Sequence, residues 1–136
     1  MDTATVVPVT LPAAQKEEEI PAALEPQLAV ELIQDHESFV RLRPVWNHLA
    51  DKAGLDYPFI RHEWVQTWWE SFEHGGRLHI LVVKENQEPI AIAPLMIDRG
   101  RIYGYPVRRL RGIANVFTER FDFILTRRPK EACQAI

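Results

Sequence analysis

The sequence predicts an α/β fold of the α+β type, in which a mixed, largely antiparallel sheet is flanked by helices. Two observations favour this class. Apolar residues recur at helical spacing in residues 35–72, and extended runs rich in branched side chains follow in residues 78–125. The predicted order of elements is β-α-α-β-β-β-β-α, and consecutive strands of this kind are typical of an antiparallel or mixed sheet covered by helices.

The bulk composition indicates one folded domain. The chain has 136 residues, of which 46% are hydrophobic and 26% are charged, as in ordinary globular proteins. Residues 1–27 contain four of the ten prolines and an acidic run at Glu17, Glu18 and Glu19. Such a segment buries too little apolar surface to offset its ordering entropy. We therefore expect a disordered leader before a folded part at residues 28–136.

One strand and one interrupted helix are predicted at the start of the folded part. Residues 28–33 (LAVELI) predict a short strand, and Asp35 is a suitable N-cap for the helix that follows. This helix has four apolar residues on one side: Phe39, Leu42, Trp46 and Leu49. Pro44 removes a backbone donor from it, which predicts a kink or a second helix start, and Gly54 is expected to end it.

The densest aromatic segment, FIRHEWVQTWWESF at residues 59–72, predicts another helix. Its apolar side chains form two adjacent rows at helical spacing: Trp64, Trp68 and Phe72 in one, Val65 and Trp69 in the other. The polar side chains are expected on the opposite face: His62, Glu63, Gln66, Thr67, Glu70 and Glu73. Because large aromatic side chains are usually buried, a core helix is favoured over a ligand-binding wall. Gly75 and Gly76 are expected to terminate it.

The next two extended runs predict a β-hairpin. Residues 78–84 (LHILVVK) and 89–97 (PIAIAPLMI) are rich in branched side chains, and the polar residues 85–88 between them predict a turn. Pro94 cannot donate a hydrogen bond to a β-ladder. This predicts a sheet edge or a bulge at that residue.

The remaining segments predict two strands and a closing helix. Residues 99–106 (RGRIYGYP) are predicted as a turn region, and residues 107–113 and 121–125 as strands. Pro129 suits the first turn of a helix that includes Ala132, Cys133 and Ile136. No capping residue or glycine ends this helix, so we expect the chain to be part of a longer protein.

Charge and cysteine content exclude some classes of function and favour others. Residues 1–75 contain five Lys/Arg and thirteen Asp/Glu, whereas residues 76–136 contain eleven and six. The basic second half suits an anionic ligand or nucleic acid, or consists of solvated strand faces. A single cysteine, Cys133, allows no internal disulfide, and none of the five histidines has the spacing of a metal site. No apolar run is long enough for a membrane span and no signal peptide is visible, so we expect no metal and a cytoplasmic location.

Three segments together resemble the CelD/BcsL branch of the GNAT-like acyltransferases, over residues 28–136. They are the tryptophan-rich helix, the hairpin at residues 78–97 and the run RRLRGIANVFTERFDFIL at residues 108–125. The matching positions are Trp64, Trp68, Trp69, Phe72, Ile92, Ala93, Pro94, Leu95, Leu110, Gly112, Asn115 and Asp122. Arg61 and His62 depart from the Ser/Thr-Pro step that often opens the family's helix. The resemblance implies an incomplete GNAT-like fold, with acetyl-CoA or another acyl-CoA bound by residues beyond 136.

Two sets of residues are candidates for chemistry. Arg109, Gly112 and Ala114 in RLRGIA match the glycine motif whose backbone amides hold the CoA pyrophosphate in GNAT enzymes. That motif requires a helix after it, and here another extended run follows. Glu119 and Asp122 are candidate general bases for an amine, or form a salt bridge in a surface loop.

Three aromatic residues are candidates for an acceptor pocket. Tyr103 and Tyr105 flank Gly104 at a predicted hairpin tip, where they either line such a pocket or are simply exposed, and Trp69 belongs to the aromatic helix.

The expected function is acyl transfer from acyl-CoA to an amine on a small-molecule or polysaccharide-related acceptor. The segment alone is not expected to turn over acetyl-CoA. Two alternatives stay open. One is an aminoacyltransferase of the FemAB kind, and the other is a noncatalytic domain whose aromatic helix and arginine-rich hairpin bind polysaccharide, peptide or nucleic acid, of which nucleic acid is the less expected. Exposed indoles at Trp64, Trp68 and Trp69 would favour carbohydrate binding.

Overall fold

The computed structural model describes residues 27–136, so the predicted leader lies outside the described residues except for Gln27. Its combination of helices and antiparallel strands confirms the predicted α+β class. The helices are α1 (His36–Arg41), α2 (Arg43–Lys52), α3 (His62–Phe72) and α4 (Pro129–Ala135), with a short 3₁₀ turn at Pro58–Ile60. The strands are β1 (Leu28–Ile33), β2 (Arg77–Leu78), β3 (Ile80–Glu85), β4 (Glu88–Ala93), β5 (Leu95–Ile102), β6 (Tyr105–Gly112) and β7 (Ile124–Leu125).

The strands form two sheets rather than one. The first sheet has the order β1-β3-β4-β7 and the second has the order β2-β5-β6. All strand pairs between residues 27 and 136 are antiparallel. The predicted hairpin is confirmed, since β3 and β4 are joined by Asn86 and Gln87, both with positive φ angles of 48° and 70°.

Two short helices replace the first predicted helix. The Oδ1 atom of Asp35 accepts a hydrogen bond from the backbone N–H of Ser38 at 2.8 Å, which confirms the predicted N-cap of α1. The chain changes direction at Leu42, and Pro44 lies in the first turn of α2, where its missing N–H needs no helical partner. The predicted second helix start is therefore confirmed.

His62 is fully buried, which corrects its prediction as part of the polar face of α3. It stands three and seven residues before Val65 and Trp69, so all three side chains lie on the same inward face. The ring lies 4.6 Å from Phe39 and 5.4 Å from Trp46, measured between centroids. Its Nε2–H donates to the carbonyl oxygen of Phe39 at 2.7 Å, so this histidine ties α3 to α1.

The main core lies between the first sheet and the helices α1, α2 and α3. One of its tryptophans, Trp46, is fully buried, and the Nε1–H of that indole donates to the carbonyl oxygen of Ile60 at 2.7 Å. This bond satisfies the polar atom of the indole within an apolar environment. The sheet contributes its inward branched side chains: Ile33, Ile80, Val82, Ile92 and Ile124.

The chain passes between the two sheets at two residues. His79 separates β2 from β3, and Pro94 separates β4 from β5. Pro94 is buried between two sheets, which corrects its predicted position at the edge or bulge of one strand. Its carbonyl oxygen accepts from Ile113 N at 2.9 Å, while the N–H of His79 donates to Leu95 O at 3.0 Å. A residue without an N–H is tolerated because the ladder is already interrupted here.

β5 and β6 form a long hairpin where a turn region was predicted at residues 99–106. The strands pair from Leu95 with Gly112 to Ile102 with Tyr105. The two-residue loop is Tyr103 and Gly104, with φ angles of 49° and 84°, as in the turns that match strand twist. We name the part beyond β2, residues 98–109, the arm, because there the hairpin has no third strand beside it.

The last part of the described chain is less regular than predicted. β7 comprises only Ile124 and Leu125, so Phe121 to Phe123 belong to a loop instead of the strand predicted at residues 121–125. The predicted closing helix is confirmed as α4, whose buried Ala132 packs against the outer face of the first sheet. Cys133 on this helix is exposed and free.

Burial of His62 predicts a loss of stability at mildly acid pH. Burial lowers the pKa of the ring from its ordinary value of 6.5, outweighing the opposite effect of the hydrogen bond to Phe39. Above pH 6.5 the ring is mostly neutral in both the folded and the unfolded chain, and the fold has its full stability. Below pH 6.5 the unfolded chain takes up the proton first, so the fold loses stability as the pH falls towards the lowered pKa of the folded state. The free energy of unfolding should fall by up to about 1.4 kcal/mol per pH unit in this range.

Denaturant unfolding between pH 7.5 and 5.5, about one unit either side of the ordinary histidine pKa, measures this loss. His62→Phe should be less stable at pH 7.5 but should lose less on acidification, because it carries no titrating ring. His48→Gln, which changes an exposed histidine, is the matched control and should follow the original protein. Equal acid sensitivity of His62→Phe and the original protein would contradict the assignment.

Candidate functional site

A cleft with a volume of about 620 Å³ lies beside the root of the arm. Its walls come from the loop after α3, from β2 and from the β5–β6 hairpin. His74 and Gly75, with φ angles of 32° and 77°, turn the chain from α3 into β2 and close one end. Four arginines dominate the lining: Arg77, Arg99, Arg108 and Arg111.

Sheet register brings three of these arginines to one face. Arg77 of β2 lies opposite Ile97 of β5, and Arg99 of β5 lies opposite Arg108 of β6. Residues opposite each other share a face, and Ile97 and Arg99 are two residues apart on one strand. The side chains of Arg77, Arg99 and Arg108 therefore lie on the same side of the second sheet.

None of these three arginines forms an ion pair or a side-chain hydrogen bond within residues 27–136. All three are exposed. Three guanidinium groups on one face repel each other, and a ligand with negative charge would relieve this repulsion. The arrangement suits phosphate or carboxylate groups, which accept two parallel hydrogen bonds from a guanidinium.

The carboxylate of Asp98, also in the cleft wall, is already neutralised. Arg109 contacts both its oxygens, with Nε–Oδ1 and Nη2–Oδ2 distances of 2.9 and 3.1 Å, and Arg111 Nε lies 2.6 Å from Oδ2. The hydrogen bond from Arg109 is the largest cause that holds the pKa of Asp98 below its ordinary value. Two arginines therefore share one carboxylate, and the cleft remains positive.

Arg111 also joins the cleft to the core. Its Nη1–H donates to the carbonyl oxygen of Ala114 at 2.6 Å, and its guanidinium lies 5.9 Å from the ring centroid of Trp68. Trp68 contacts Phe72, which lines the cleft, at a centroid distance of 5.6 Å. Phe72 in turn stacks on Phe117 at 6.0 Å. The arginine cleft therefore has an aromatic border.

The indoles of α3 offer little surface for carbohydrate binding. Trp68 and Trp69 are only 3% and 7% exposed, and Trp64 is partly buried beside Phe59. Stacking on a sugar requires an open aromatic face, so their burial does not favour the polysaccharide-binding alternative. Trp69, a candidate for an acceptor pocket, borders a second, shallower cleft of about 500 Å³ with His36 and Arg77.

The RLRGIA segment lies on β6 and the turn after it. Arg109 is held by Asp98, while the N–H of Ala114 donates to Gly112 O at 2.9 Å within that turn. No helix begins at this turn, so its amides lack the helix N-terminus on which a pyrophosphate loop depends. Gly112 has another role: a Cβ atom there would lie 2.5 Å from the Phe121 ring.

Glu119 and Asp122, the two candidate general bases, lie in the loop before β7. Glu119 is exposed, whereas Asp122 Oδ2 accepts from Arg120 Nη2 at 3.2 Å and from the Tyr57 hydroxyl at 3.4 Å. Arg120 also lies over the Tyr57 ring, 4.6 Å from its centroid. Desolvation, followed by the charge of Asp122, raises the pKa of Tyr57. This cluster anchors the loop before β7 and is outside the lining of the arginine cleft.

Tyr103 and Tyr105 lie at the tip of the arm, 98% and 75% exposed. Neither residue lines the arginine cleft or the second cleft. Among residues 27–136 no group of three or more His, Cys, Asp or Glu side chains is placed to hold a metal ion. In the same part of the chain, no helix has both the length and the apolar character that a membrane crossing requires.

Sequence reasoning did not single out Arg77, Arg99 or Arg108. The last two meet only because residues 99–106 are paired strands, and that segment was interpreted as a turn. The available signal was the Tyr103–Gly104 pair between residues of extended character, since glycine at the second loop position is typical of two-residue hairpins. The position of Arg77 depends on the pairing of β2 with β5, which no local pattern indicates.

The role of Gly112 leads to a test by double substitution. Gly112→Ala should destabilise the fold by about 1–2 kcal/mol because its methyl group displaces the Phe121 ring. The same change in a Phe121→Ala background should cost much less, since the obstacle is gone. Denaturant unfolding of the four proteins gives the coupling energy. Equal costs in both backgrounds would contradict a packing role for Gly112.

Comparison with protein-family models, with curated proteins and with solved structures gave no match. The feature that calls for a ligand is the arginine cleft, because it combines a large volume with three cations that lack a described partner.

Proposed function

We propose that the chain binds an anionic small molecule in the arginine cleft, as part of a GNAT-like acyltransferase that moves an acyl group from acyl-CoA to an amine acceptor. One observation carries the proposal. Arg77, Arg99 and Arg108 line one cleft without ion pairs to residues 27–136. CoA thioesters carry several phosphate charges, and guanidinium groups are well suited to phosphate.

The shape of the cleft supports a small molecule. Its volume of about 620 Å³ falls within the usual range of ligand pockets, about 300–1,000 Å³. Phe72 and Ile97 add apolar surface next to the arginines, so the cleft accommodates a ligand with both charged and apolar parts. The carboxylate of Asp98 presents no obstacle to an anion because Arg109 and Arg111 already neutralise it.

The acyltransferase part of the proposal comes from the resemblance of three segments to the CelD/BcsL branch. The α+β architecture is compatible with it. The cleft would replace the RLRGIA turn as the place where phosphate groups bind, because the turn lacks a helix N-terminus and the cleft has cations. In this role the described residues bind and orient the acyl donor, and the group that removes the proton from the amine lies elsewhere.

Charge removal in the cleft tests anion binding. CoA titrated into the chain at low ionic strength should bind, and Arg77→Gln or Arg99→Gln should raise the Kd about tenfold or more, since a charge-assisted hydrogen bond contributes about 1.5–3 kcal/mol. Calorimetry measures the Kd. Arg41→Gln removes the same charge from an exposed arginine of α1 and should leave it unchanged. Added salt should weaken binding.

A comparison of ligands with and without phosphate separates anion binding from nonspecific binding. Pantetheine, which lacks phosphate, should bind far more weakly than CoA, whereas inorganic pyrophosphate should compete with CoA. Equal binding of pantetheine and CoA would rule out phosphate recognition by the cleft. A Kd for CoA that is insensitive to Arg77→Gln and Arg99→Gln would overturn the proposed site.

Catalysis by this chain alone is not expected. Glu119 is exposed and Asp122 is bonded to Arg120 and Tyr57, so neither carboxylate lines the arginine cleft in which the acyl donor would bind. Incubation of residues 1–136 with acetyl-CoA and a panel of amines should release no free thiol above background in a colorimetric thiol assay. Saturable release that depends on the amine would disprove this expectation.

A further inference from the structure

The tip of the arm exposes apolar and aromatic side chains that no contact explains. Ile102 is 54% exposed, beside the exposed rings of Tyr103 and Tyr105. Tyr103 has the left-handed backbone conformation, φ 49°, in which asparagine, aspartate and glycine are favoured over tyrosine. Its side chain makes no hydrogen bond or ring contact within residues 27–136. The left-handed conformation of Tyr103 raises the free energy of its backbone, and no hydrogen bond or ring contact within residues 27–136 compensates for this.

Arginine side chains lie behind the apolar tip of the arm, at increasing distances from it. Ile102 pairs with Tyr105 at the end, Arg101 is one residue behind Ile102, and Arg99 pairs with Arg108 two residues further back. At about 3.3 Å per residue, the arginines lie about 3–10 Å behind the tip. Arg101, like Arg99 and Arg108, forms no ion pair with residues 27–136. Residues 98–111 contain five arginines and one aspartate, so the hairpin is strongly basic.

This order matches the layers of a phospholipid surface. The headgroup region of one leaflet is about 5–8 Å deep, tyrosine is enriched there, and anionic headgroups attract arginine. Single-stranded nucleic acid would stack its bases on exposed rings such as Tyr103, whereas the aliphatic side chain of Ile102 beside it suits the apolar side of a membrane interface. We propose that the tip of the arm, residues 101–105, inserts into the interface of membranes with anionic phospholipids, with the arginines at the headgroup phosphates.

Co-sedimentation with vesicles tests this inference on the full chain. The original protein should bind vesicles of phosphatidylcholine mixed with phosphatidylglycerol, should bind pure phosphatidylcholine much less, and should be released by salt. Arg101→Gln should raise the lipid concentration for half-maximal binding about fivefold. Tyr103→Ser combined with Tyr105→Ser should raise it about tenfold or more, because the rings no longer transfer out of water.

The matched controls lie outside the arm. Val116→Ser removes a side chain of comparable exposure, and Arg41→Gln removes a charge from α1. Both should bind vesicles as the original protein does. The arm variants should keep their circular dichroism spectrum and their Kd for CoA, because Arg77, Arg99 and Arg108 are unchanged. Loss of vesicle binding and loss of CoA binding are thus separate results.

Four outcomes would overturn the proposal. The first is equal binding of neutral and anionic vesicles, and the second is vesicle binding of the arm variants that equals that of the original protein. The third is a loss of vesicle binding in Val116→Ser as large as the loss in the arm variants. The fourth is absence of vesicle binding. In that case, arm-dependent binding of a single-stranded oligonucleotide would assign the arm to nucleic acid, and arm-dependent dimerisation in sedimentation analysis would assign it to a second copy of the chain.

Discussion

The passage of the chain between two sheets at His79 and Pro94 is the constraint on which the rest of the structure depends. Each break interrupts a ladder, and the hydrogen bonds from His79 N to Leu95 O and from Ile113 N to Pro94 O extend the ladders of the second sheet up to the breaks. Beyond the breaks, β5 and β6 leave the core and extend into solvent. The first sheet therefore holds the apolar core, and the second presents charged side chains. A single continuous sheet would not separate the apolar core from the charged surface in this way.

Within the second sheet, the distribution of charge follows from the pleat. Successive side chains alternate between faces, so Asp98 meets Arg109 and Arg111 on one face while Arg99 meets Arg108 on the other. The carboxylate offsets one of the two arginine charges on its own face, and Arg99 and Arg108 on the other face form no ion pair within residues 27–136. A two-stranded ribbon is marginal in water by itself, and the bidentate pair between Arg109 and Asp98 adds cross-strand stabilisation.

Much of the fold was accessible from sequence because its patterns are local. The cap at Asp35, the helix restart near Pro44 and the turn at Asn86 each depend on neighbours along the chain. The position of Pro94 and the brevity of β7 were not predictable, because pairing between distant strands decides them. The burial of His62 lies between these cases. Its spacing to Val65 and Trp69 indicates an inward face, but its polar ring is accommodated only by the carbonyl of Phe39 on another helix.

The candidate site was less predictable than the fold. The short motif RLRGIA drew attention to Gly112, whose lack of a side chain is explained by the Phe121 ring. The arginine cleft depends on three strands that become neighbours only after folding. Spacing along the chain carries little information on such a site, since two of its cations are separated from the third by more than twenty residues.

Gly100 has a consequence for the evolution of this protein. A Cβ atom there would collide with the guanidinium of Arg109, which crosses the glycine to reach Asp98. A side chain at position 100 would therefore displace the Arg109 guanidinium from Asp98, whereas Arg111 would still hold that carboxylate. In divergent relatives, loss of the glycine at position 100 should accompany loss of the arginine at position 109 more often than loss of the aspartate at position 98.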